Sequence, residues 1–189
     1  MKISPNDIAF DIDGVFADTF RVFVDRARKD YGYRFSYEDI TEYEFMKVID
    51  MDEGISEGII QTLMDYPLES GVRPMDGAAE VLTDLAGVGP LLFVTARPDK
   101  GPILRWIRHQ LPKVATNSIR LEATNTHKEK LPILLKNKVK YFVEDRLETC
   151  YFLKEAAVNP IVFKQPWNRK PHPFPVVEGW DEISAMIEW

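Results

Sequence analysis

The chain of 189 residues contains one cysteine, Cys150, so no internal disulfide can form and stability must come from a packed core. No apolar run approaches the ~20 residues that a membrane-crossing helix needs. Nothing at the N-terminus reads as a basic stretch followed by an apolar one. A cytoplasmic location and no membrane partner are the default expectations. There is no lysine or arginine run, the Arg169-Lys170 pair being too short to count, and the net charge is −6. Long nucleic acid is therefore not an expected partner. A glycine-rich phosphate loop, a Gly-x-Ser-x-Gly turn and a Cys/His cluster of zinc spacing are all missing. His109, His127 and His172 are scattered and read as structural or exposed, and Cys150 reads as a core residue on an apolar helix face.

What the chain does have is a set of short apolar runs, each ending in polar chemistry. Ile8-Ala9-Phe10 leads into Asp11-Ile12-Asp13-Gly14. Side chains two apart share a face, so Asp11 and Asp13 flank one site at the carboxyl end of a strand, where open α/β sheets bind ligands. Gly14 allows a sharp turn or a close backbone approach. Leu91-Leu92-Phe93-Val94 delivers Thr95, Ala96 and Arg97, and Val139-Lys140-Tyr141-Phe142-Val143 delivers Glu144 and Asp145. Lys130 stands just ahead of a helical stretch, Leu131 to Lys136, that precedes the last of these runs.

The rhythm is β/α alternation, which predicts a Rossmann-like parallel sheet flanked by helices on both faces. Strands are expected at Ile8–Phe10, Leu91–Thr95, Ser118–Leu121, Tyr141–Glu144 and Ile161–Phe163. Helices are expected at Gly77–Leu85 behind the cap Asp76, Gly101–Gln110, Leu131–Lys136, Leu147–Ala157 and Ile183–Ile187. Residues 16–72 break the pattern. Phe16, Phe20, Phe23, Ala27 and Tyr31 recur at helical spacing before Gly32, Ser36-Tyr37-Glu38-Asp39 reads as a helix start, and Ser56 as the cap of a helix running to Asp65. This divides the chain into an α/β core, 1–15 and 73–189, and an inserted helical unit, 16–72. The insertion holds ten of the 22 aromatic residues, most of them expected to pack the unit itself, with Phe16, Tyr43 and Phe45 facing the cleft.

In order along the chain, Asp-x-Asp, Thr, Lys and Glu-Asp resemble the four-motif signature of the haloacid dehalogenase (HAD) superfamily of aspartyl-phosphate phosphatases. The insertion after the first motif resembles a C1-type cap. The resemblance implies Asp11 as nucleophile and Asp13 as general acid/base; the second acid sets the chain apart from the dehalogenase branch. It also implies Thr95 and the N–H groups around Ala96 on the phosphoryl oxygens, and Lys130, with Lys128 as the competitor, neutralising charge. Arg97 is read as a supporting or surface residue, a phosphate contact being the alternative.

Four carboxylates at neighbouring strand ends repel by ~4 kcal/mol per pair at about 4 Å, and a hard divalent cation relieves this. Mg²⁺ is the expected cofactor, on Asp11, the Asp13 carbonyl and Asp145, with Glu144 direct or through water. Glu144-Asp145 also suits the N-terminal end of the following helix by dipole alone. The Pro-rich segment Gln165 to Pro173 follows the last strand, and its Trp167 and Asn168 either contact a substrate ring or pack under the sheet edge. Together with the short cap and the Val-Glu-Asp motif, this segment resembles the deoxyribonucleotidase-like 5′-nucleotidase branch, although Glu144 departs from the Asp-Asp pair usual there. The expectation is a Mg²⁺-dependent phosphatase of a small phosphorylated metabolite, a nucleoside 5′-monophosphate first. The alternatives are a sugar-phosphate or other metabolite phosphatase, and a binding or regulatory protein on the same scaffold with little turnover.

Overall fold

A computed structural model describes residues 2–189. Six parallel strands form one sheet in the order β3-β2-β1-β4-β5-β6: β1 Ile8–Phe10, β2 Leu91–Thr95, β3 Ile119–Ala123, β4 Tyr141–Glu144, β5 Asn159–Phe163 and β6 Val176–Val177. The central three are buried almost throughout, as near-continuous apolar runs require of a sheet covered on both faces. Phe10 pairs with Phe93 on one side and Val143 on the other. Asp11 and Glu144, the next residues, therefore end at one level, with Thr95 one residue further along its strand. The order reverses direction between β1 and β4, the switch point at which such sheets open a crevice for ligands.

The helices are α1 Thr19–Tyr31, α2 Glu53–Asp65, α3 Ala78–Val88, α4 Lys100–Gln110, α5 Lys130–Lys136, α6 Leu147–Glu155 and α7 Trp180–Met186. Gly32 stops α1 in the left-handed conformation, φ +78°, its N–H returning to Arg28. Several boundaries depart from expectation for local reasons. Asp52, not Ser56, caps α2, accepting from the Ile55 N–H at 2.9 Å, and Ser56 is buried inside the helix. Ser36 to Asp39 closes on itself, the Asp39 carboxylate taking the Ser36 N–H at 2.7 Å, and gives a single turn rather than a helix. Gly77, not Asp76, stands at the start of α3. Strand β6, only two residues long, is too short to leave a periodic signal.

Residues 16–18 and 72–75, where the chain leaves and rejoins the sheet layer, run side by side. Ala17 bridges to Pro74, and the Met75 N–H donates to the Phe16 carbonyl at 2.7 Å. Two tryptophans pin these stems: the Trp180 indole N–H donates to the Val15 carbonyl at 2.9 Å and that of Trp106 to the Val72 carbonyl at 2.8 Å. Each buries its ring and satisfies its one donor at the same place. Phe16 is fully buried here, 5.5 Å from Phe93 and 4.8 Å from Trp106 between ring centres. It is a core residue and does not face the cleft, because it precedes α1 and its apparent helical spacing to Phe20 describes no helix. Cys150 is buried beside Val162 and Phe174, as a core residue should be. Among the described residues no helix is long and apolar enough to cross a membrane.

Candidate active site

Where β1 ends, the Asp11 N–H still bonds across to the Val143 carbonyl, which fixes its backbone against β4. Its carboxylate accepts from the Ile12 N–H at 2.7 Å and meets the Lys130 ammonium at 2.7 Å. Lys130, at the start of α5, is wholly buried, and its ammonium also donates to Glu144 at 2.9 Å. Lys128 is exposed, so geometry places Lys130 in the site. The other Glu144 oxygen accepts the N–H groups of Asp145 and Arg146 at 3.2 and 3.1 Å. Asp145, just after β4, accepts from the Trp167 indole at 3.1 Å.

Asp11, Glu144 and Asp145 each bring a carboxylate oxygen within 4.8 Å of the others. Burial, then the charge of Glu144, raises the Asp11 carboxyl well above its ordinary range against the pull of Lys130. Burial with Glu144 and Asp11 does the same to Asp145. Burial would raise Glu144 too, but the Lys130 charge and its hydrogen bonds outweigh it and hold Glu144 low. One ammonium faces three buried carboxyls. The hard oxygen donors and the uncompensated charge suit a divalent cation.

Asp13 lies on the other side of Ile12, its carboxylate accepting from Arg97 Nε and Nη2 at 2.8 and 2.7 Å and from the Thr19 hydroxyl at 2.5 Å. Burial raises its pKa, yet the Arg97 charge and these hydrogen bonds prevail and keep it low. Asp11, Asp13, Thr95, Ala96 and Arg97 share one cavity of about 340 Å³. Its lining also includes Phe20, Phe23, Tyr43 and Phe45, and Ile60, Leu63 and Met64 of α2. Phe20, Phe23 and His127 line it without having been expected to. The spacing of Phe20 and Phe23 marked a helix face but not what that face looks onto. Burial, together with Lys130 and Arg146, pushes His127 down to about 4, so its imidazole is neutral at pH 7.

Trp167 and Asn168 are corrected to supporting residues. Trp167 is 3% exposed, with its ring 4.6 Å from that of Phe20, and Asn168 donates to the carbonyls of Asp145 and Phe163, both at 2.8 Å. Neither reaches the cavity. The Pro-rich loop does lie at the strand ends, but it braces the acids from behind. Gln165 completes the brace, donating to the Gly14 carbonyl at 2.7 Å while accepting from the Tyr37 hydroxyl at 2.6 Å.

Gly14 shows how tight this packing is. Its φ is +75°, and a methyl group there would fall 2.1 Å from an Asp145 carboxylate oxygen and 3.1 Å from the Trp167 ring. The backbone strain alone is of order 1–3 kcal/mol. Gly14→Ala is thus expected to lower the melting temperature and to remove most turnover by displacing Asp145; full activity in this variant would show that the position of Asp145 does not matter.

A family model described as 5′ nucleotidase, deoxy (pyrimidine), cytosolic type C matches residues 6–188. No curated protein sequence matches significantly. Among solved structures, the chain is similar to a HAD-superfamily hydrolase from Ehrlichia chaffeensis (18% identity, 98% of this chain and 96% of that one, TM-score 0.54). It is also similar to a subfamily IA HAD hydrolase from Geobacter sulfurreducens (21%, 95% and 94%, TM-score 0.57) and to CbbY from Rhodobacter sphaeroides, crystallised with phosphate (16%, 93% and 95%, TM-score 0.56). At these identities the structures speak for the fold. The family match spans nearly the whole chain, and it agrees with a parallel sheet carrying Asp11, Thr95, Glu144 and Asp145 at its strand ends and Lys130 on the helix before β4: the protein belongs to this 5′-nucleotidase family of HAD phosphatases.

Proposed function

We propose that the protein is a Mg²⁺-dependent phosphomonoesterase that works through an aspartyl-phosphate on Asp11 and acts on a nucleoside 5′-monophosphate. The observation that carries the reading is a buried, lysine-paired Asp11 opening with Asp13 onto one cavity whose other walls are aromatic and aliphatic. Asp11, Asp145 and the Asp13 carbonyl would hold Mg²⁺, with Glu144 direct or through water, and the ion would supply charge neutralisation for the phosphoryl group.

In the first step an Asp11 oxygen attacks phosphorus, the bond to the ester oxygen breaks, and that oxygen takes a proton through Asp13. Asp13 is ionised in this geometry, so the proton arrives with the monoester, whose second ionisation lies at about pH 6. In the second step water attacks the aspartyl-phosphate and gives its proton to Asp13, releasing phosphate and restoring Asp11. The Thr95 hydroxyl and the Ala96 N–H hold phosphoryl oxygens, and Lys130 offsets the charge that builds on them.

Residues 16–72 act as a cap over the core formed by 1–15 and 73–189, excluding water and meeting the organic group. Phe20, Tyr43 and Phe45 border the cavity, an aromatic lining that suits a base better than a sugar. The test is a panel of phosphates assayed with Mg²⁺ and with EDTA. Hydrolysis is expected only with the metal, with nucleoside monophosphates leading. Tyr43→Ala should reduce kcat/KM for nucleotides about 5–150-fold, the worth of one stacked ring at ~1–3 kcal/mol, while sparing a small aryl phosphate. Turnover undiminished in chelator would refute the metal, and a uniform loss across the panel would make Tyr43 a packing residue.

A further inference from the structure

Arg97 comes two residues after Thr95 and is 4% exposed, an unusual burial for a side chain that carries a fixed charge. All three of its guanidinium nitrogens are engaged. Nε and Nη2 hold both oxygens of Asp13 at 2.8 and 2.7 Å, the two-pronged geometry that fixes a carboxylate in orientation as well as position. Nη1 donates the other way, to the carbonyls of Leu63 and Met64, at 3.3 Å each. Those carbonyls belong to the last turn of α2, where helix carbonyls lack partners and a cation is favoured. One planar group thus spans from the loop after β2 to the acid after β1 and to the end of a helix in the inserted unit.

Resting on the phosphatase reading above, we propose that Arg97 is a positioning residue that sets Asp13 for leaving-group protonation and ties that setting to the seating of α2. A phosphate-binding arginine would need nitrogens free to face the cavity. Here every nitrogen already donates to Asp13 or α2, and only the second N–H of Nη2 lacks a partner among the described residues, so the guanidinium lining the cavity is largely committed. Thr19, at the start of α1, donates to the same Asp13 oxygen as Nη2, so the acid is tied to both helices of the insertion at once. A shift of α2 by the length of one hydrogen bond moves Arg97 and with it the carboxylate that must meet the ester oxygen.

The test uses the full chain with Mg²⁺ and two substrates that differ in leaving group: a nitrophenyl phosphate, whose phenolate departs without a proton, and an alkyl phosphate, whose alkoxide does not. In Arg97→Ala, kcat/KM for the alkyl ester is expected to fall by about 10²–10⁴, the range of a lost general acid, and that for the nitrophenyl ester by less than about tenfold. The Asp13→Asn variant should show the same pattern, and the double variant should be no slower than Asp13→Asn alone, as expected when one residue acts through the other. Guanidinium ion in the buffer should restore part of the alkyl-ester rate to Arg97→Ala. Amide exchange in the last turn of α2 should quicken in that variant. Equal losses on both esters, or losses that multiply in the double variant, would overturn the assignment and make Arg97 a phosphate contact or a structural group. Unchanged exchange in α2 would break the tie to the helix. If the wild-type protein hydrolyses neither ester, the phosphatase reading fails first, an outcome distinct from any pattern among the variants.

Discussion

Asp11→Asn is expected to leave a folded protein with no measurable phosphate release. The substitution keeps the shape of the side chain and removes its nucleophilicity, so the covalent route closes. Losing a covalent nucleophile, a protease serine in the measured case, costs on the order of 10⁶ in kcat. Folding should survive for a reason visible in the site. The Asp11 carboxyl is disfavoured as an anion by its burial and by Glu144, and an amide relieves that. Against this, both Asp11 oxygens are acceptors, one for the Ile12 N–H and one for Lys130, and the amide must turn its NH₂ toward one of those donors. The mismatch is worth about 1–3 kcal/mol. The two effects oppose, so the unfolding midpoint should move little while activity vanishes. Beryllofluoride, which mimics a phosphoryl group on a carboxylate, should be found attached to Asp11 in the wild-type protein and absent from the variant. An adduct on Asp13 or Asp145, or a variant retaining a hundredth of the rate, would overturn the role of Asp11.

The strands that carry the site were legible because they are buried on both faces. Leu91 to Thr95 and Tyr141 to Glu144 read as unbroken apolar runs, and the polar residues stand where the runs stop. Lys130 was legible only through the order of the motifs, since nothing local in a lysine before a helix distinguishes a wholly buried ammonium from a solvated one. What sequence reasoning could not decide was the direction in which loop residues point. Phe16 turns inward because the stem before α1 is fastened by Trp180, and Trp167 turns toward Asp145 because Asn168 and Gln165 bond backward to the chain they follow. Arg97 finds Asp13 at a separation of 84 residues, a pairing with no signature in spacing. His127 meets the cavity for the same reason: the turn before α5 is aimed by tertiary packing and not by its own sequence.

Lys130→Met should be the most damaging substitution for stability. Methionine matches the length of the stem, so little volume is lost, and the effect is electrostatic. Replacing a whole buried ion cluster by apolar groups is often neutral, but removing one partner leaves uncompensated charge and typically costs about 3–5 kcal/mol. Here Asp11 at 2.7 Å and Glu144 at 2.9 Å both lose their cation. The pH dependence carries the sign. In the wild-type protein Glu144 is held below its ordinary 4.5, so it contributes stability that is present above 4.5 and lost as pH falls. Without the ammonium only burial and neighbouring acids remain, and Glu144 joins Asp11 and Asp145 as a raised group. A raised carboxyl favours the folded state at low pH and loses that contribution as pH rises through its folded value. The difference between the two proteins should therefore widen from pH 5 to pH 8, measured by denaturant unfolding in chelator. A gap under 1 kcal/mol at pH 8, or one that narrows with rising pH, would mean that Lys130 does not neutralise this cluster.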